Sequence, residues 1–311
     1  MTKYFITGGA GFIGLNLVHH LSAAGEKILL FDDFSTGRKK FLRDLSKEVK
    51  VQEGSVMDLK ELKKSMKNCE YVIHLAGQVS VPKSVKDPVH SAELNILGTL
   101  NTLIAARDAK VKRLVYVGSA CAYGESPSLP KLETMANNPL SPYGVSTIAA
   151  EHYCRVFFTT YGLPTVILRA FNVYGPMQDP SGGYAAVVPK FVTTLLDGKA
   201  PVISGDGKQS RDFVHVSDLV DAVKAACIAP KAEGEVFNIA SGSRITVNGL
   251  VNMLNALLGK EIQPKYEEAH PGDIRHSLAD ITRAQEMLGF RPRVSIQDGL
   301  RTTLEWYRKG S

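Results

Sequence analysis

Residues 4–14 read Tyr4-Phe5-Ile6-Thr7-Gly8-Gly9-Ala10-Gly11-Phe12-Ile13-Gly14. An apolar run meets glycines at every third position from Gly8, and an amphipathic stretch continues to residue 24. The run predicts a strand, the stretch a helix, and the glycines the turn between them. Gly8 and Gly11 let the backbone turn tightly and approach a pyrophosphate, while Gly14 lets the helix lie close on the strand. The uncapped N–H groups and positive dipole end of such a helix suit phosphate oxygens. A glycine triplet alone is weak evidence, but Asp32 follows about twenty residues on, at the end of a second apolar run. Its carboxylate suits ribose hydroxyls and repels a 2′-phosphate, which favours NAD over NADP.

The same rhythm runs outward from this unit. Residues 27–31, 49–52, 71–75, 113–117 and 165–168 read as buried strands, with helical patterns at 11–24, 59–67 and 91–109 between them. Continuous apolar strands alternating with helices predict a doubly wound α/β domain, a parallel sheet covered on both faces. After Arg169 the pattern changes. Residues 175–185, rich in Pro, Gly, Asp and Ser, read as a loop over a site. Helical patterns follow at 187–197, 247–258 and 281–288, while 213–229 and 236–239 read as a helix and strand returning to the sheet. Two lobes are expected: an NAD-binding Rossmann domain of residues 1–168 plus 213–239, and a smaller α/β substrate-binding lobe of 169–212 plus 240–311.

Composition narrows the function classes. The 311 residues are 44% hydrophobic and 22% charged, with 37 Lys and Arg against 31 Asp and Glu. The basic residues are dispersed and form no stripe interleaved with aromatics, so a phosphate-bearing small ligand fits better than nucleic acid. No apolar run reaches the ~18 residues of a membrane span, and the N-terminus lacks signal-peptide features, so a cytoplasmic protein is expected. Cys69, Cys121, Cys154 and Cys227 are scattered without a CxxC pair, which suggests neither disulfides nor a metal site.

Ser141-Pro142-Tyr143 reads as a helix N-cap, a first-turn proline and a tyrosine inside the first turn. Ser119 follows the strand 113–117, at the sheet edge where α/β proteins bind ligands. With these residues in place, the chain resembles the extended short-chain dehydrogenase/reductases, specifically the nucleotide-sugar epimerase/dehydratase group, over nearly its whole length. The resemblance rests on Thr7–Gly14, His74-Leu75-Ala76-Gly77, Gly118-Ser119-Ala120-Cys121-Ala122-Tyr123-Gly124 and Ser141-Pro142-Tyr143-Gly144. It continues through Arg169-Ala170-Phe171-Asn172-Val173-Tyr174-Gly175-Pro176, Gly205-Asp206-Gly207 and Ser210-Arg211-Asp212-Phe213.

The resemblance implies roles. Gly8, Gly11, Phe12, Ile13, Gly14, Asp32, Leu75, Ala76 and Gly77 would line the NAD groove. Asp58 would meet the adenine, and Asn95 would support the sheet edge beside the cofactor. Ser119 would hydrogen-bond the sugar hydroxyl and Tyr143 would be its base. The substrate side would comprise Ser80, Lys83, Ser119, Cys121, Asn172, Val187, Ile203, Arg211, His270, Asp273, Arg275 and Ser277, with Arg211 as the charged clamp on a nucleotide diphosphate. The implied reaction is 4-epimerisation of a UDP-hexose or UDP-N-acetylhexosamine through a 4-keto sugar, in a homodimer paired through the helices at 91–109 and 142–161.

Dehydratases and decarboxylases of the group carry an acid where this chain has Cys121, so those reactions lose support. The thiol itself raises a rival, a 3,5-epimerase or keto-sugar reductase using Cys121. Residues 80–84, 178–187 and 272–280 look like those of UDP-N-acetylglucosamine 4-epimerases, in which the position of Ser277 gates the sugar pocket. A small side chain there leaves room for an N-acetyl group. The chain departs from the family at Thr147, four residues after Tyr143, where the family has a lysine that lowers the tyrosine pKa. A catalytic role for Thr147 would be confined to hydrogen bonding, which raises a further alternative, a non-catalytic NAD- or nucleotide-sugar-binding protein. Met177 and His270 stand where relatives often carry arginine.

Overall fold

The computed structural model describes residues 2–43, 45–181, 186–269 and 274–309. In chain order, β1 (Thr2–Thr7) leads into α1 (Phe12–Ala23), β2 (Ile28–Asp32), β3 (Val49–Glu53), α2 (Leu59–Ser65) and β4 (Cys69–His74). The helices α3 (Val81–Lys86), α4 (Pro88–Ala92) and α5 (Gly98–Asp108) precede β5 (Arg113–Ser119), α6 (Pro142–Tyr161) and β6 (Thr165–Ala170). There follow α7 (Val187–Leu196), β7 (Val202–Ser204), β8 (Ser210–Arg211), α8 (Val216–Ile228) and β9 (Val236–Ile239). Last come β10 (Ile245–Thr246), α9 (Val247–Leu258), β11 (Lys265–Glu267), α10 (Thr282–Leu288) and α11 (Ile296–Arg308).

The seven strands β3-β2-β1-β4-β5-β6-β9 form one parallel sheet, the doubly wound arrangement expected from the sequence. Alternate residues face opposite sides, so Tyr4 and Ile6 join one core with α1 and α8 while Phe5 joins another with α2, α5 and α6. Both faces of the inner strands are covered, which is why they read as near-continuous apolar runs, whereas the edge strand β3 is largely exposed.

The expected helix over 91–109 is three pieces. A wider π turn, Glu93–Leu97, separates α4 from α5. Asn95 explains it: its side chain bonds the backbone N–H and carbonyl of Gln78, at 2.7 and 3.0 Å, and pulls the helix out of register. A third core of α7, α9 and α11 residues, including Phe191, Leu254 and Leu304, forms the smaller lobe. The cores do not follow the expected division at several places: Ala170, Phe171, Ala240 and, around α10, Ala279, Ile281, Ala284, Leu288 and Phe290 pack into the α1/α8 core of the sheet, while Phe213 joins the third core. The apolar face of α10 lies beside β9, the edge strand, which needs covering.

The segment after β2 reaches across to the smaller lobe. Arg38 pairs with Asp179, the Phe41 ring lies 5.6 Å from that of Trp306, and the Tyr307 hydroxyl donates to the Gln178 carbonyl.

Candidate active site

A cavity of about 470 Å³ runs along the C-terminal edge of the sheet, from Asp32 to Tyr143. Gly8, Gly11, Phe12, Ile13 and Gly14 form its floor, and Leu75, Ala76 and Gly77 one wall. Gly8 has φ +67°, and a Cβ there would stand 2.6 Å from the Ala76 amide nitrogen. A Cβ on Gly14 would stand 2.4 Å from the Gly8 carbonyl oxygen, so the helix start can pack this closely only on glycine. Gly11 is the N-cap of α1 and no side chain caps the helix, which leaves first-turn N–H groups for an anion. Asp32, 7% exposed, accepts from Ala10 N at 2.9 Å and Phe34 N at 2.8 Å, which fixes its carboxylate in the cavity wall. Burial pushes its carboxyl pKa up, and those two N–H bonds partly offset the rise. Gln178, which the sequence did not single out as a ligand, presents a buried Oε1 without a partner at the cavity wall. An uncapped helix start, a backbone-held carboxylate and an unpaired acceptor in one groove fit a dinucleotide.

Ser119, Cys121 and Tyr143 close the other end. Ser119 ends β5, two residues beyond the expected strand, because Gly118 and Ser119 still pair with Arg169 and Ala170 of β6. Its hydroxyl accepts from Cys121 N at 3.2 Å. Tyr143 is held by a full accounting of the α6 N-terminus. Ser141 Oγ accepts from Gly144 N at 3.1 Å, Pro142 has no donor, and Tyr143 N donates to the buried Ser84 Oγ of α3 at 3.1 Å. Burial pushes the Tyr143 pKa up to about 12, the Cys121 thiol adds to the rise, and the Ser119 and Thr147 hydroxyls pull it back. Burial also pushes the Cys121 thiol up, which disfavours a thiolate there.

Thr147 does not line the cavity. It is 2% exposed and its Oγ1 donates to the Tyr143 carbonyl at 2.9 Å, a backbone bond four residues back along the helix. Behind the wall, Tyr116 Cε1, Glu151 Oε1 and Thr147 Cγ2 converge on Gly118, where a Cβ would stand 3.1, 3.2 and 3.4 Å from them. Glu151 is itself paired with buried Arg169, whose Nη2 lies 2.8 Å from Oε2.

The remaining expected residues divide. Asn172 lines the cavity with φ +33° and donates from Nδ2 to the Asp212 carbonyl at 2.7 Å. Asp58 lies off the lining, and its carboxylate caps α2 by accepting from Glu61 N. Ser80 caps α3 and Lys83 is exposed on it. Ile203, 1% exposed, belongs to the third core, and Val187 packs at its margin. Arg211 donates from Nη1 to Ser210 O at 3.0 Å, whereas Arg275 makes a two-pronged pair with Asp206 at 2.8 Å for each oxygen. The Arg275 guanidinium holds the Asp206 carboxyl well below the usual carboxylate range. Ser277 is half-buried, its N–H bonded to Ser210 O. His270 and Asp273 lie outside the described residues, as does part of the expected loop over 175–185. Sequence reading missed Ser84, which acts through a contact distant along the chain, and Gln178, whose place on the cavity wall is set by the fold.

Residues 4–240 match the model of the NAD dependent epimerase/dehydratase family. The chain is 37% identical to the UDP-glucose 4-epimerase of Mycolicibacterium smegmatis, covering 99% of each. It superposes with a TM-score of 0.96, at 36% identity and covering 100% of this chain and 99% of the other, on a UDP-N-acetylglucosamine 4-epimerase from Methanobrevibacter ruminantium in complex with UDP-N-acetylmuramic acid. A UDP-glucose 4-epimerase with UDP-glucose from Thermotoga maritima gives 0.94 at 38% identity, covering 99% of both chains.

Proposed function

Because the chain belongs to the NAD dependent epimerase/dehydratase family, we propose that it is a UDP-hexose or UDP-N-acetylhexosamine 4-epimerase working through a transient 4-keto sugar. The carrying observation is that one cavity joins the glycine turn and Asp32 to Ser119 and Tyr143. NAD, the cofactor of this family, supplies a reversible hydride acceptor, so no external oxidant is consumed. Gly8, Gly11 and the first turn of α1 hold its phosphates, and Asp32 accepts from a ribose hydroxyl. Leu75, Ala76 and Gly77 line the groove between them.

Ser119 hydrogen-bonds the sugar 4-hydroxyl, and Tyr143 Oη takes its proton and later returns it. A base must be ionised to act, so the raised Tyr143 pKa makes proton removal the slow demand at neutral pH. Arg211 and Asn172 hold the substrate diphosphate. Arg275 joins them by exchanging Asp206 for phosphate, an exchange of one exposed charge partner for another. Ser277 leaves room for an N-acetyl group. Incubation with UDP-glucose and UDP-N-acetylglucosamine in deuterated buffer, followed by NMR, tests the reading. Interconverted epimers without solvent deuterium on carbon support it. Deuterium on carbon would point to Cys121 chemistry, and no turnover with NAD bound to a binding protein.

We also infer a homodimer. Val85, Val89 and Leu97 around α3 to α5, and Val145, Tyr153 and Val156 on the adjoining α6, are exposed. A second hollow of about 410 Å³, lined by Pro88, Val89, Ala92, Glu93, Ile96 and Leu97, continues this face. Phe157, also on α6, lies in the subunit's own core. Among the described residues, no helix is long and apolar enough to cross a membrane.

A further inference from the structure

A buried run of hydrogen bonds leads from the glycine turn to the Tyr143 helix, and its direction can be worked out from the helix end. Ser146 Oγ donates to the Tyr143 carbonyl at 2.9 Å, so toward Asn95 Nδ2, also at 2.9 Å, it accepts. The Asn95 carbonyl takes the one hydroxyl proton of Thr99, 2.6 Å away. Thr99 Oγ1 then has only lone pairs to offer His74 Nε2 at 2.9 Å, so Nε2 carries the ring proton. His74 Nδ1 therefore accepts, and its donor is Thr7 Oγ1 at 2.7 Å. Having given its proton there, Thr7 Oγ1 receives the amides of Leu75 and Ala76, each at 3.3 Å. Every donor in the run meets an acceptor under this assignment. The opposite tautomer would leave Thr99 Oγ1 and His74 Nε2 facing each other without a proton between them.

His74 and Thr7 are 0% exposed and Thr99 1%, so no water replaces a lost bond at the centre of the run. Burial lowers the His74 pKa to about 4, which keeps the ring neutral and its acceptor nitrogen open across the working pH range. The two ends of the run are functional surfaces. Ala76 and Gly77 line the cofactor groove and Tyr143 the sugar end, while Asn95 additionally clamps Gln78 beside Gly77.

We propose that His74 is a positioning residue which, held as its Nε2-protonated tautomer, joins the cofactor turn to the catalytic helix in one fixed register. The functional half of this inference rests on Tyr143 being the base, whereas the tautomer and cofactor affinity can be read without any turnover.

The test uses full-length protein labelled with 15N-histidine and two-bond 1H–15N correlation spectra between pH 6 and 9. The His74 signals, identified by their loss in His74→Gln, should show a bare Nδ1 and a protonated Nε2 throughout. A protonated Nδ1, or a mixture of tautomers, overturns the assignment. His74→Phe, which keeps the ring but removes both bonds, should weaken NAD binding and lower kcat by about tenfold each, with KM for UDP-glucose unchanged. Ser146→Ala should then cost less in that background than in the parent protein, because the run is already cut. Fully additive losses, or unchanged NAD affinity and kcat, would refute a joining role. If His74→Phe does not fold, Thr99→Val makes the same cut from the other side. It should yield mixed His74 tautomers with the same paired losses, and a single unchanged tautomer with normal NAD affinity would overturn the proposal. A parent protein that binds NAD through this run but epimerises nothing would refute the 4-epimerase reading alone.

Discussion

Thr147→Lys places an ammonium on the face of α6 that carries Tyr143, one turn away. With the Tyr143 pKa at about 12, roughly one molecule in 10⁵ holds the phenolate at pH 7. A cation within a few ångströms lowers such a pKa by about 1–3 units, which multiplies the phenolate by about 10–10³. A less basic phenolate is a weaker base, so roughly half the exponent survives in the rate and kcat should rise about 3- to 30-fold near neutrality. The ammonium also gains Glu151 nearby, although Arg169 already occupies that carboxylate. Against this, Thr147 is 2% exposed, and the extra methylenes cost about 1–3 kcal/mol of stability from overpacking. Thr147→Met supplies similar bulk without charge and serves as the control. Initial rates of UDP-glucose epimerisation between pH 6 and 10 are the assay. The parent activity should climb with pH across this range, because the fraction of phenolate climbs, and the lysine variant should reach its plateau 1–3 units lower. If folded, NAD-loaded Thr147→Lys follows the parent pH profile and matches Thr147→Met in rate, the phenolate population does not limit the reaction.

Tyr143→Phe should abolish epimerisation in both backgrounds while NAD binding, read by equilibrium dialysis, stays within about twofold of the parent. The raised pKa of Asp32 means that its carboxylate takes up a proton at a higher pH than the usual ~3.9, so NAD affinity should begin to fall on acidification above that value. Asp32→Asn should flatten this dependence and narrow the preference for NAD over NADP, both measured by calorimetric titration. Ser277→Tyr should depress turnover of UDP-N-acetylglucosamine at least tenfold more than that of UDP-glucose, and equal losses would place the sugar gate elsewhere. Leu97→Glu, on the exposed apolar face, should convert a dimeric mass in light scattering to a monomeric one, and an unchanged mass would move the interface.

The strands and most helices were legible because burial on two faces writes itself as apolar runs and a buried stripe writes itself as a helical period. What escaped was set by contacts between distant residues. Gly118 and Ser119 do not read as strand, yet β6 pairs with them and carries Ser119 to the sheet edge. The π turn at Asn95 depends on the Gln78 backbone, which no periodicity in 91–109 encodes. Thr147 sits on the face shared with Tyr143, as its spacing implies, but the sequence could not tell that its hydroxyl turns back to the helix carbonyl. The Ser141 cap and Pro142 were readable because both act within one helical turn. Ser84, which completes the same helix start, was not, since it arrives from α3.

The contact between Phe41 and Trp306 gives the molecule a built-in optical probe. Trp306 is the single tryptophan of the chain, so intrinsic emission excited at the red edge reports from one address, where the segment after Asp32 meets the last helix. Tyr307 packs edge-on beside it, 4.8 Å between ring centroids, and bonds the residue preceding Asp179. Any ligand that loosens or tightens the junction between the lobes changes the surroundings of that indole. Stopped-flow emission can therefore follow the junction in unlabelled protein and time its movement separately for cofactor and nucleotide sugar.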